Sequence, residues 1–387
     1  MKQLLLRLKR FCGYIAGFVF FISGILKLMD PVGASLVMKE YFSFLHISFM
    51  NFAATSSGVA FALAESLVGA ALITGVWRRV TALVAIVLQS MFTLLTLFLV
   101  IFKPEMDCGC FGEAIHLSHS QTFIKNLILI ALLLIYYIPK KHLGETKKKK
   151  YVSFGIVSIS VAAFCLYSSL YIPMADFTAL KPGTRINDQN LTSESVYEAS
   201  FIYEKDGVQQ EFSLENLPDS TWTFVGAITA EPTANSAEAT NANISIYNKE
   251  GEYADSLLTE GRVLIVSIYK DKISEDRLRE TEHLLDEAKT MGFQPLLLTA
   301  SLEIDSPYHY FCDYKTLITL NRSSGGATYI DNGQIIRKWS KRTLPTPEEL
   351  ATISNEDSTD TFIGRDTRTN LAFQGFLLYV FAVMLLL

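Results

Sequence analysis

The chain has 387 residues, half of them hydrophobic, with a mean hydropathy of +0.26, a formal net charge of −5 and five cysteines. That is too apolar for an ordinary soluble protein of this size and too polar for one made only of spans, so a membrane domain joined to a sizeable extramembrane domain is expected. The charge is small, the basic residues cluster beside apolar runs and no nucleic-acid motif is visible, which argues for control of membrane topology and against nucleic acid as a partner.

Crossing the hydrocarbon core takes about 20 apolar residues in a helix. Six stretches meet or nearly meet that length: residues 11–29, 52–76, 80–102, 121–138, 152–173 and 371–387. The first follows "MKQLLLRLKR" and has no small-x-small cleavage pattern, so it is expected to be retained as a helix. The last is the shortest, and its sequence fits either a span or an anchor. Basic residues collect at Lys2, Arg7, Lys9 and Arg10, at Arg78 and Arg79, and at Lys140, Lys141 and Lys147 to Lys150. Lys and Arg are retained on the cytoplasmic side, and these three regions agree with one another as cytoplasmic. The connections 31–51 and 103–120, and the region 174–370, are then expected outside. In a bacterium with two membranes that reading makes a multi-pass inner-membrane protein with a large periplasmic domain, in contact with membrane lipid.

At the end of the third span lies "EMDCGCFGEA", residues 105–114. On the expected side of the membrane, cysteine pairs persist as disulfides. Cys108 and Cys110 are two apart, a spacing at which ordinary disulfide geometry is hard to meet; strained, exposed disulfides are the exchange-prone ones. Gly109 lets the backbone bend between them. Thiol-disulfide exchange with a periplasmic client or redox partner is the leading reading, with Cys108 and Cys110 as the exchanging pair. Soft-metal ligation by Met106, Cys108 and Cys110, which suits Cu(I), and a structural loop staple in a non-catalytic scaffold are the alternatives. Glu105 and Asp107 disfavour a thiolate, and Lys103 is the only nearby cation in sequence. A cation from the bundle is therefore expected, with Lys27 the best candidate. Cys12 and Cys165 fall inside spans as small hydrophobes, and Cys312 has no close sequence partner.

Several polar residues sit in or beside the spans. "SGILKLMDP" puts Lys27 and Asp30 at the outer end of the first helix, where Lys27 either snorkels or serves the site. Glu65 lies well inside the second span, so it must face the bundle interior, a partner or water, or stay protonated; polar packing and proton handling are both open to it. Gln89 and Ser90 are candidate hydrogen-bond partners, and Gly69 and Gly75 permit close helix contact.

Together "SGILKLMDP", "ESLVGAALITGVWRR" and "CGCFG" after the third span make residues 1–140 resemble the DoxX-type four-helix membrane proteins, in particular their MauE-like branch. The resemblance implies a four-helix bundle distantly like quinone-linked disulfide oxidoreductases, and a role in disulfide formation or export of a cysteine-rich periplasmic subunit in methylamine utilisation. A quinone or a partner protein would have to take the electrons, because the membrane domain has no second outward cysteine pair. The resemblance stops near residue 150.

Residues 141–173 then read as a basic loop and fifth span, and 174–243 as an extended lead-in ending in a flexible linker, "TAEPTANSAEATNAN". Within it "YEASFIYEKDGVQQEFSL" carries a hairpin pattern. From residue 244 to 370 the order is informative: "RVLIVSIY" as a buried strand, "SEDRLRETEHLLDEAKTMG" as a helix with Ser274 as N-cap, "FQPLLLTAS" as a strand, "DYKTLITLNR" as a short helix, and "GATYIDNGQIIRKWS" as two strands about a "DNG" turn. That ending order is similar to the thioredoxin-like α/β fold. The place of the redox Cys-x-x-Cys is taken by the cysteine-free "YKDKISEDR", and Gly325 and Gly326 stand where a proline commonly precedes the later strand. Recognition or docking is expected of this domain, with a purely structural cap as the alternative, and 371–387 closes the chain as a hydrophobic helix.

Reporter fusions placed after Lys150 and after Asp188 are expected to report opposite sides of the membrane. Agreement between them would overturn the topology.

Overall fold

The computed structural model describes residues 2–104, 106–138, 146–187, 199–205, 208–212, 222–229, 241–270, 272–300 and 304–386. Most of the linker expected before residue 244 lies outside them. Six helices among these residues are long and apolar enough to cross a membrane. They lie in α1 (Lys2–Met29), α3 (Ala54–Thr74) with the short 3-10 turn before it, α4 (Arg78–Phe102), α5 (His119–Tyr137), α6 (Lys148–Leu170) and α10 (Ser358–Leu386).

Small residues let α1 and α3 approach closely. A Cβ on Gly69 would stand 2.4 Å from the Phe21 amide nitrogen, so only glycine fits there. The contact buries Phe21, Ile25, Leu28 and Met29 against Ala62, Ala70 and Ile73. On the other side of α1, Ala16 and Phe20 pack with Ala82 and Ala85 of α4 and Leu129 and Leu133 of α5. The outward faces of α4 and α5 carry Val87, Leu94, Ile124 and Ile128 exposed, as helices facing lipid do.

The basic ends meet at one end of the bundle. The Lys9 ammonium donates to the Ile138 carbonyl, and the Thr146 hydroxyl to the Gly75 carbonyl. The terminal helix is longer than its apolar run. It lies antiparallel along α6, where Ser153 donates to Val383 O at 2.7 Å, Lys150 to Met384 O at 3.1 Å, and Phe164 stacks on Phe376.

Two elements of the opposite end were not anticipated as regular structure. Between α1 and α3 lies α2 (Pro31–Phe44), N-capped by Asp30, which accepts from the Gly33 amide at 2.9 Å, with Pro31 as first helical residue. Strand β1 (Cys110–Glu113) begins at the second cysteine and packs on α1 and α2.

The extramembrane domain is built on a mixed eight-stranded sheet. Its strands are β2 (Arg185–Asn187), β6 (Asn241–Asn243), β7 (Ile246–Tyr247), β8 (Arg262–Ile268), β9 (Gln294–Thr299), β10 (His309–Cys312), β11 (Gly326–Asp331) and β12 (Gln334–Trp339), in the order β6-β2-β12-β11-β8-β9-β10-β7. At its centre β8 and β9 are parallel, joined by α7 (Glu275–Thr290), and β11 runs antiparallel to both β8 and β12. The run "VLIVSI" reads as continuously apolar because it is covered on both faces. Leu264, Val266 and Ile268 meet Leu284, Leu285 and Ala288 of α7 and Leu350 and Ile353 of α9 (Pro347–Asn355). Val263 and Ile265 meet Leu317 and Leu320 of α8 (Tyr314–Leu320). The β11–β12 turn sits where expected, with Asn332 and Gly333 at φ +44° and +78°. The hairpin expected near residue 205 forms as β3 (Ala199–Lys205) and β4 (Val208–Phe212), joined by β5 (Thr223–Thr229) in a separate three-stranded sheet.

A buried ion pair ties the segment after α6 to the sheet, with Lys338 Nζ 2.7 Å from Asp176 Oδ2. Burial opposes the Asp176 charge, but the Lys338 ammonium and the Thr178 amide hold the carboxyl below its ordinary range. Burial in turn pulls Lys338 down. We take the pair as ionised, because the 2.7 Å contact serves both charges. Lys338→Met is expected to destabilise the domain by about 3–5 kcal/mol, since it strands a buried carboxylate. The Asp176 contribution is present above the ordinary carboxylate range and is lost as pH falls through the depressed value. Thermal melts should therefore show the wild type losing more stability on acidification than Asp176→Asn; parallel losses would contradict this.

Candidate functional site

The cysteines lie where α1 to α5 surround a cavity of about 330 Å3, lined by Ser23, Lys27, Glu65, Cys108, Cys110 and Lys125 among mostly apolar side chains. The backbone that presents them is held at several points. Tyr41 Oη of α2 donates to Cys108 O at 2.9 Å, Ser23 Oγ of α1 donates to Cys110 O at 2.6 Å, and His119 Nε2 lies 2.9 Å from Met106 O. Gly109 is at φ +59°, and a Cβ there would meet Val37 Cγ1 at 2.4 Å, so both conformation and space require glycine.

Both cysteines are free thiols, and they differ in environment. Cys108 is buried and Cys110 is half-buried. Burial pushes the Cys108 thiol up, while the Thr122 hydroxyl and Lys125 ammonium favour its thiolate. That hydroxyl is buried and has no other hydrogen-bond partner among the described residues, which leaves it to Cys108. Lys125 also lies over the Phe111 ring, 4.8 Å from its centroid. The cation beside the thiols is thus Lys125, which the sequence reading passed over. Its signal was that it is the single Lys or Arg in α5.

Lys27 is committed elsewhere. Its Nζ sits 2.8 Å from both oxygens of Glu65, whose side chain is 4% exposed. Pairing with an ammonium is what lets a carboxylate stay inside a bundle. Ser23 Oγ is also 2.9 Å from Glu65 Oε2. A hydroxyl has one hydrogen, and the Cys110 carbonyl can only accept. Ser23 therefore cannot serve Glu65 and Cys110 fully at once, and a proton on Glu65 would remove the conflict. Gln89 does not reach Glu65; it donates to Asn126 O at 3.4 Å, and Asn126 donates to Thr96 Oγ1 at 3.2 Å. Ser90 is exposed.

The two remaining acidic candidates diverge. Asp107 is exposed, 3.3 Å from His116 Nδ1. Asp30 is buried, and besides capping α2 it lies 2.9 Å from Arg322 Nε, while Arg322 Nη2 lies 2.9 Å from Glu113 Oε1. Burial pushes the Asp30 carboxyl up against the pull of Arg322. Burial also opposes the Arg322 charge, yet Asp30 and Glu113 hold it above its ordinary value. We take Arg322 as charged, since a guanidinium does not give up its proton in proteins. Among the described residues no three His, Cys, Asp or Glu side chains gather into a metal site.

Residues 4–139 match the family described as methylamine utilisation protein MauE, and residues 197–230 match one described as a domain of unknown function (DUF8463). No curated protein and no solved structure matches the chain. The first match covers α1 to α5 with the cavity and both cysteines, and the similarity belongs to that segment.

Timed alkylation in membranes followed by mass spectrometry should modify Cys110 before Cys108, with Cys108 gaining reactivity only at more alkaline pH. The reverse order would contradict the burial of Cys108.

Proposed function

We propose that this MauE-like membrane protein exchanges thiols for disulfides with client proteins outside the membrane, through Cys108 and Cys110. The observation that carries the reading is two unequal thiols, Cys108 in a braced turn and Cys110 at the start of β1, beside a membrane cavity. An exchange pair needs one accessible sulfur and one that leaves and returns. Cys110 fits the first role and Cys108 the second.

In the oxidised pair, a client thiolate attacks Cys110 Sγ, forms a mixed disulfide and expels Cys108 as a thiolate, which Thr122 and Lys125 favour. The client's second thiolate then attacks its own sulfur in the mixed disulfide and displaces Cys110. The client leaves oxidised, and the pair, once it has taken up two protons, holds two electrons and two thiol hydrogens. Regeneration must remove both. The apolar cavity with a polar end fits a lipid-soluble acceptor of the quinone class, which would supply a two-electron sink. In this reading Glu65 is the carboxylate that would accept a proton, and the Ser23 hydroxyl, in contact with both Glu65 and Cys110 O, would link that event to the Cys110 strand. Lys27 keeps the carboxylate available between turnovers.

The extramembrane domain fits a thioredoxin-like reading. Its central order β9-β8-β11-β12, one parallel crossover and a closing antiparallel hairpin are the topology that reading requires. The segment between β8 and α7 has no cysteine, so the role proposed for this domain is to present or bind the client. The orientation and the inner-membrane location follow from the basic clusters. Any connection to methylamine rests on the family match alone.

In Cys108→Ser, Cys110 can still attack the disulfide of an oxidised client, expelling one client sulfur as a thiolate, and has no neighbouring thiol to release it from the mixed disulfide that forms. This variant should accumulate a reductant-sensitive adduct in membranes, which the double replacement loses while staying inserted and abundant. If neither single variant traps anything, the exchange reading fails.

A further inference from the structure

Arg322 belongs to the extramembrane domain but spends its charge in the membrane domain. The loop that carries it, "NRSSGG" between α8 and β11, is held by other groups. Asn321 Nδ2 donates to Ala327 O at 2.9 Å and Trp339 O at 3.1 Å, Ser323 N donates to Asn321 Oδ1 at 2.9 Å, and Tyr269 Oη donates to Arg322 O at 2.8 Å. The Arg322 side chain is therefore free to leave its own domain, where among the described residues its one side-chain hydrogen bond runs from Nη1 to Ile318 O at 3.4 Å. It is 5% exposed, with Asp30 at Nε and Glu113 at Nη2.

These two carboxylates sit on the two pieces of backbone that shape the thiol site. Asp30 ends the helix that carries Ser23 and Lys27 and starts the helix that carries Tyr41. Glu113 ends the strand that begins at Cys110. The fork of one guanidinium matches two acceptors at fixed separation, which a lysine ammonium cannot reproduce. We propose that Arg322 is a positioning residue: by bridging Asp30 and Glu113 it fixes the Cys110–Glu113 strand against α1, so that docking of the extramembrane domain sets how exposed Cys110 is. A client that shifts this domain would then change the accessibility of the thiol it is to meet. That consequence rests on the exchange function proposed above, whereas the positioning does not.

The test is the alkylation rate of Cys110 in full-length protein in membranes. Arg322→Gln is expected to raise it about fivefold or more, the lower range of coupling between distinct sites. Glu113→Gln cuts only the arm to the cysteine strand and should raise it nearly as much. Asp30→Asn keeps a good cap for α2 and keeps the Arg322–Glu113 arm, so it should raise the rate less than Glu113→Gln. Arg322→Lys should fall between wild type and Arg322→Gln. Equal effects of Asp30→Asn and Glu113→Gln would overturn the positioning role in favour of general loosening, as would an unchanged rate in Arg322→Gln. Failure to trap a mixed disulfide, with this order of rates intact, would remove the exchange function and leave the positioning standing.

Discussion

A carboxylate inside a membrane bundle is costly unless a cation meets it, and the Lys27–Glu65 pair meets that condition between α1 and α3. The two helices must lie close enough for a lysine near the end of one to reach a glutamate well inside the other. Glycines make that approach, with Gly69 against the Phe21 backbone. Ser23, one turn before Lys27, then falls between Glu65 and the Cys110 carbonyl. The charge pair, the tight α1–α3 contact and the placement of the cysteine strand are thus one arrangement, and loosening any of them exposes the others.

The same economy governs the joint between the two domains. Arg322, Asp30 and Glu113 form a cluster at the end of the bundle away from the lysines, and Lys338 with Asp176 forms a second at the exit of α6. Buried ion pairs are poor sources of net stability but are directional, and breaking one side is expensive. These two clusters, one across the junction and one where α6 leads into it, favour a defined seating of the extramembrane domain over a loose tether, and that seating places the loop "NRSSGG" beside the thiol site.

Much of this was legible in the sequence for local reasons. Spans announce themselves by length and hydropathy. The Asn332-Gly333 turn, the apolar run of β8 and the length of α7 announce the central sheet. Helix α2 escaped because it has no long apolar run, although Asp30-Pro31 is a start signal that could have been read. Strands of two to four residues at the sheet edge, such as β7 and β10, have too little pattern to see. Lys125 was visible as an isolated charge and was passed over in favour of Lys27, which was nearer the expected membrane surface. Arg322 could not be found that way. Its partners Asp30 and Glu113 are 292 and 209 residues away, and nothing local to "NRSSGG" indicates that its arginine leaves the domain.

The central claim is that Cys108 and Cys110 interconvert between dithiol and disulfide at a potential that clients can use. It is tested most directly by equilibrating membranes with redox buffers of graded potential, quenching with alkylating reagent and measuring both residues by mass. The account predicts that the two thiols titrate together as one two-electron couple, with a midpoint above about −300 mV, the range of exchange-prone rather than structural disulfides. Two thiols that stay reduced across the whole series, or that titrate independently of each other, would contradict it.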